Sequence, residues 1–210
     1  MHVTLCDVGP RDGLQNEPET LAPEVRADVV RRLAAAGLPR VEAVSFVSDE
    51  RVPQMAGAEE VVAAVGEVDA ELSGLVLNER GWERLAQTPL ARVNVTLAAT
   101  EAFNQRNGNA TLEEAAARVE RILAAADRAS SATISCSFGC PFEGDVDPGV
   151  VADLAVTSRS ARSATTPGST SPSNGQPNEQ LIVAVVGLSA TARIRSTRAA
   201  ASSSDAFPFR

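Results

Sequence analysis

The chain has 210 residues, 44% of them hydrophobic, a net charge of −8 and three cysteines. That length allows one domain with a real core, or part of a larger one. All 19 basic residues are arginine, and there is neither an apolar run near membrane-spanning length nor a basic-then-apolar leader. No nucleic-acid surface, membrane span or secretory signal is therefore expected, and the default location is cytoplasmic. Cys6, Cys136 and Cys140 are too few and too unevenly spaced for a disulfide framework and read as reduced thiols.

A first strand is expected over Val3 to Val8, running directly into "DVGPRDGLQNE" at residues 7–17, which sets Arg11 and Asp12 between two glycines. A helix follows over Pro23 to Ala36, with Val25, Val29, Leu33 and Ala36 on one face and Gly37 closing its end. The next strands are Val41 to Phe46, with Glu42 and Ser45 on it and Ser48 beyond, and Leu72 to Leu77, ending at Asn78. Trp82 reads as a helix residue packing on the sheet. After a strand over Arg92 to Leu97, Thr111 and Glu114 form a capping box ahead of the stripe Leu112, Ala115, Val119, Ile122 and Ala126. A fifth strand, Thr133 to Phe138, leads into Cys136 to Glu143, and another helix begins near Pro148. Alternating strands and helices of this kind predict an α/β fold with a parallel sheet and five βα units.

After Ala155 the pattern stops, and the remainder is rich in Ser, Thr, Pro and Arg apart from one apolar run, Leu181 to Leu188, that could form a strand. Residues 1–156 hold 13 arginines and 25 acids, whereas residues 157–210 hold 6 arginines and 2 acids. An acidic α/β segment is thus joined to a basic tail.

Polar features gather at the C-terminal ends of the predicted strands, where active sites of parallel βα folds collect. They are Arg11 and Asp12, then Glu42, Ser45 and Ser48, then Asn78, and finally Cys136 to Glu143. Taken alone, Arg11–Asp12 could be a solvated ion pair in a turn, and Glu42 a buried acid paired with Arg11 for structure. Cys136 and Cys140 suit packing and loop shaping better than zinc, because no further Cys or His partners accompany them. His2, the single histidine, reads as an exposed terminal residue.

Four stretches in order, "DVGPRDGLQNE", "VEAVSFVSDERVPQM", "TEAFNQRNGNATLEE" and "SCSFGCPFEG", resemble the hydroxymethylglutaryl-CoA lyase family of metal-dependent TIM-barrel lyases, over residues 3 to 155. The resemblance implies a carbon–carbon lyase that cleaves 3-hydroxy-3-methylglutaryl-CoA to acetyl-CoA and acetoacetate in leucine degradation, with Mg²⁺ or Mn²⁺. It also implies an acyl-CoA substrate, Asp12 as a metal ligand, Arg11 as the group stabilising developing oxyanion charge, and Glu42 as a site carboxylate orienting the polar network, with Asn78 a weaker candidate. A retro-Claisen cleavage must deprotonate a tertiary hydroxyl and stabilise a thioester enolate, tasks suited to a hard cation and a fixed guanidinium.

The family pattern continues with an Asp on strand 6, a His-x-His metal pair on strand 7 and a reactive Cys with an Asn ligand after strand 8, none of which this chain carries. Residues 1–156 are accordingly expected to be a truncated TIM-barrel domain, a partial (β/α)8 barrel, and residues 157–210 a disordered or out-of-frame tail. This chain would then be inactive, with an open strand edge that favours homo-oligomers. The alternatives are another aldolase-type lyase of the same superfamily, acting on an acyl-CoA or 2-oxo acid, and a non-catalytic fragment.

Overall fold

A computed structural model describes residues 4–163 and 182–185. Strands β1 (Cys6–Asp7), β2 (Arg40–Ser45), β3 (Glu71–Val76), β4 (Arg92–Ala98), β5 (Ala129–Ser135) and β6 (Ile182–Val185) alternate with helices α1 (Pro23–Ala35), α2 (Ala58–Val65), α3 (Glu79–Ala86), α4 (Glu101–Gly108), α5 (Leu112–Ala125) and α6 (Pro148–Ser163). The strands lie in the sheet in chain order, and β1 to β4 pair in parallel. A doubly wound sheet reverses strand order partway, and this one does not, so the architecture is α/β of the TIM-barrel kind with five βα units.

Two compact units divide the chain, one comprising Met1–Val95 with Ala126–Ser131, the other Thr96–Ala125 with Ala132–Arg210. In the first unit α1 packs on α2 and on β2, and α3 packs on β3. Its core is branched and dry, with Val30, Val41, Val44, Val61, Val76, Leu85 and Val93 fully buried, each contributing about 1.5–3 kcal/mol of hydrophobic stabilisation. Gly74 is required there, because a Cβ would stand 2.8 Å from the Phe46 ring and 3.0 Å from Leu85 and Leu90. In the second unit α5 packs on α4 and α6, burying Val119, Ile122 and Leu123.

Local signals explain most of these boundaries. Gly37, at φ 87°, ends α1 in a Schellman motif: its N–H donates to Ala34 O (2.9 Å) and that of Leu38 to Leu33 O (3.4 Å). The Thr111–Glu114 capping box forms in both directions, Glu114 N to Thr111 Oγ1 at 3.1 Å and Thr111 N to Glu114 Oε2 at 2.8 Å. Trp82 lies on α3, half-buried, with the Arg128 guanidinium 5.5 Å from its ring.

Several expectations are corrected. The buried face of α1 is Arg26, Ala27, Val30 and Ala34, while Val25 is 50% exposed. Two apolar stripes compete on this helix, and Arg26 decides between them by donating from Nη1 to Ala56 O (2.6 Å) in the loop before α2. The fifth strand starts four residues earlier than expected and ends at Ser135, because Ala129–Ser131 pair despite weak strand propensity and Cys136 turns into the left-handed region at φ 60°. The first strand is only Cys6–Asp7, since a π-helical turn over Gly9–Gly13 begins immediately after it. Helical pattern does not stop at Ala155, because α6 continues to Ser163. Within Leu181 to Leu188 a strand is described over Ile182–Val185, beside β5 in the sheet order. His2 and most of the 157–210 tail lie outside the described residues.

Candidate active site

The first unit builds its polar centre from the π-helical turn and one face of the sheet. Pro10 presets the turn, the Asp7 carboxylate accepts from Gly9 N (2.8 Å), and Asp12 N donates to Val8 O (2.7 Å). This wide turn sets Arg11 against β2. Its Nε donates to Glu42 Oε1 and its Nη1 to Asp12 Oδ1, each at 2.6 Å. Nη2 has no partner among the described residues.

Glu42 sits within an apolar strand and its side chain is 4% exposed, so its carboxylate needs polar partners there. Its second oxygen accepts from Asn94 Nδ2 on β4 (2.7 Å), and Asn94 Oδ1 accepts from Ser131 Oγ (3.2 Å). A chain of hydrogen bonds, buried at its Asn94–Glu42 centre, thus runs from Ser131 through Asn94 and Glu42 to Arg11 and out to Asp12, whose side chain is 58% exposed. The guanidinium is held on two sides, by Glu42 and Asp12, and a positive group fixed in this way is suited to stabilising negative charge.

Register explains how the face is assembled. Glu42 pairs with Ser73 and Ser45 with Leu75, with a bulge between Glu42 and Val44. Paired residues share a face, and Gly74 faces the helix side, so the bulge turns both Glu42 and Ser45 to the opposite face although they are three residues apart. Arg92 and Asn94, paired with Ser73 and Leu75, lie there too. Ser45 Oγ is buried there without a hydrogen-bond partner among the described residues.

The structure therefore brings together Arg11, Asp12 and Glu42, and adds Asn94 and Ser131, which the sequence reading missed. The available signal was an Asn inside the otherwise apolar β4. Asn78 is corrected to a cap: its side chain accepts from Gly81 N (2.9 Å) at the start of α3. Ser48 is exposed in the loop after β2, its carbonyl accepting from Arg51 and Val52.

In the second unit Glu143 Oε1 accepts from Ala102 N and so caps α4, and Cys136 and Cys140 are buried with Ala98. Burial, reinforced by the neighbouring Cys140, pushes the Cys136 thiol up to about 12. Packing is what the structure gives these thiols.

A hard divalent ion takes six or more oxygen ligands and needs several from the protein to bind tightly. Both oxygens of Glu42 are committed to Arg11 and Asn94, which leaves Asp12 as the one exposed carboxylate of the centre. No cluster of three His, Cys, Asp or Glu side chains able to hold a metal exists among the described residues. These residues fit one corner of a divalent site and do not complete it.

Comparison with known proteins gives the arrangement a context. The HMGL-like family matches residues 2–173. Hydroxymethylglutaryl-CoA lyase of Pseudomonas mevalonii is 41% identical over 157 residues, covering 73% of this chain and 52% of that protein. The (R)-citramalyl-CoA lyase of Chloroflexus aurantiacus is 39% identical over 160 residues, covering 70% and 50%. The crystal structure of hydroxymethylglutaryl-CoA lyase from Pseudomonas aeruginosa superposes with a TM-score of 0.71 at 40% identity, covering 76% of this chain and 54% of that one. A lyase from Acinetobacter baumannii, solved with coenzyme A and 3-methylmalate, gives 0.72 at 29% identity, covering 75% and 53%. The chain spans about half the length of the curated relatives it matches.

Proposed function

The chain belongs to the HMGL-like family, and on that footing we propose that it carries the oxyanion-stabilising part of an acyl-CoA lyase site. The reaction is cleavage of 3-hydroxy-3-methylglutaryl-CoA to acetyl-CoA and acetoacetate, as in leucine degradation, in the cytoplasm. The single observation that supports this most is the Arg11 guanidinium, fixed by Glu42 at 2.6 Å, with no partner for Nη2 among the described residues. In a retro-Claisen step the carbon–carbon bond breaks as the tertiary hydroxyl loses its proton, and negative charge grows on the thioester oxygen of the departing enolate. A preorganised guanidinium lowers the energy of that charge, an effect typically worth about 3–4 kcal/mol for one donor. Coenzyme A in the Acinetobacter baumannii relative supports an acyl-CoA as the ligand class.

The family implies a divalent ion, Mg²⁺ or Mn²⁺ in this reading, with Asp12 as a ligand. Because Asp12 is the one exposed carboxylate of the centre, the 210-residue chain by itself is proposed to be inactive and to bind Mn²⁺ more weakly than about millimolar. An assay of the purified chain with hydroxymethylglutaryl-CoA and Mg²⁺, beside Arg11→Ala, tests this. Equal background rates are expected, and Arg11-dependent turnover would overturn the inactivity.

A second reading, a lyase for a related acyl-CoA, is favoured by the 39% identity to (R)-citramalyl-CoA lyase. Running the same assay with citramalyl-CoA, on any form of the protein that shows turnover, separates the two.

A further inference from the structure

The loop after β5 folds two thiols against each other. Gly139 N donates to Cys136 O (3.3 Å), closing a tight turn, and Cys140 is pinned in place by a pair of backbone bonds with Gly144 at 2.7 and 2.9 Å. The two thiols lie in one buried cluster, where Cys140 Sγ accepts from Thr100 Oγ1 (3.1 Å) and Phe142 N (3.4 Å). Cys136 holds φ 60°, a conformation a non-glycine residue adopts only when its surroundings impose it. Both sulfurs are buried with Ala98 beneath Phe103 and Val146. The cover is thin, since residues 141–145 are exposed and Phe138 is 63% exposed. Neither thiol has a part in the Arg11 centre.

We infer that Cys136 and Cys140 are an oxidant-responsive dithiol that closes to an intraloop disulfide with a low-molecular-weight disulfide as oxidant. The Cys140 thiolate, nearer the rim, attacks one sulfur of the oxidant and expels one thiolate. Cys136, on losing its proton, then attacks Cys140 Sγ in the mixed disulfide and expels the second. Two cysteine thiols are oxidised, one small disulfide is reduced to two thiols, and the protons pass to the released thiolates. Burial, with Cys136 pushed up to about 12, keeps the pair reduced unless the loop opens or the oxidant is abundant.

The test is equilibration of the full chain in reduced and oxidised glutathione buffers, followed by acid quench, alkylation and peptide mapping. The expected product has lost the mass of two hydrogens, links Cys136 to Cys140, and still forms in Cys6→Ser. The glutathione ratio at the midpoint should give an effective thiol concentration at least about tenfold higher in the native chain than in urea, because the fold holds the two sulfurs together. An equal or lower value in the native chain, a link through Cys6, or stable glutathione adducts without ring closure would overturn the inference. Lyase activity is not part of the readout, so its failure and that of the proposed function are distinguishable.

Discussion

Arg11 and Glu42 matter to each other before they matter to any substrate. Glu42 is buried and Arg11 nearly so, and removing one charge strands the other. Glu42→Ala should lower the unfolding free energy by about 3 kcal/mol, the lower end for a buried pair because Arg11 keeps some exposure, read from urea melts. Asn78→Ala should lower it by about 1 kcal/mol, the usual worth of an N-cap. Arg11, Asp12 and Glu42 were legible in the sequence because charged residues at predicted strand ends stand out against apolar runs. Asn94 and Ser131 were not, and Ser45 was named only as a polar strand residue, since their convergence depends on strand register and on a bulge, which one sequence does not display.

Strands and helices with unambiguous periodicity were read well, and errors fell where two physical signals competed. The α1 stripe was misplaced because a buried arginine looks polar in sequence while its stem and hydrogen bonds face inward. The start of β5 was missed because Ala and Ser carry little strand propensity, so pairing decided it. Gly81 in α3 illustrates a constraint that periodicity misses: a Cβ there would lie 2.6 Å from the Phe46 carbonyl oxygen. Gly81→Ala, although it improves helix propensity, should therefore destabilise the chain by about 1–3 kcal/mol, seen as a lower melting temperature. A neutral or raised melting temperature would mean that α3 shifts freely against β2.

The molecule as a whole has neither lysine nor tyrosine, so the raised thiol of Cys136 stands out among its side chains at high pH. Cys136 is raised by burial from 9.0 to about 12, so the native state favours its protonated form. That stability is fully present below about pH 9 and is lost as pH rises towards 12. With reductant present, melting temperature should hold steady to about pH 8.5 and then fall, and Cys136→Ala should flatten most of the fall. The break in charge near residue 156 was legible as a composition change, and α6 runs across it to Ser163. The decisive experiment joins residues 1–156 to the complementary segment of the Pseudomonas mevalonii relative and measures hydroxymethylglutaryl-CoA cleavage with and without Arg11→Ala. We expect metal-dependent cleavage that drops by about 10²–10³ in the variant. A soluble, metal-loaded chimera that does not cleave, or that cleaves equally well without Arg11, would contradict the assignment of this centre to lyase chemistry.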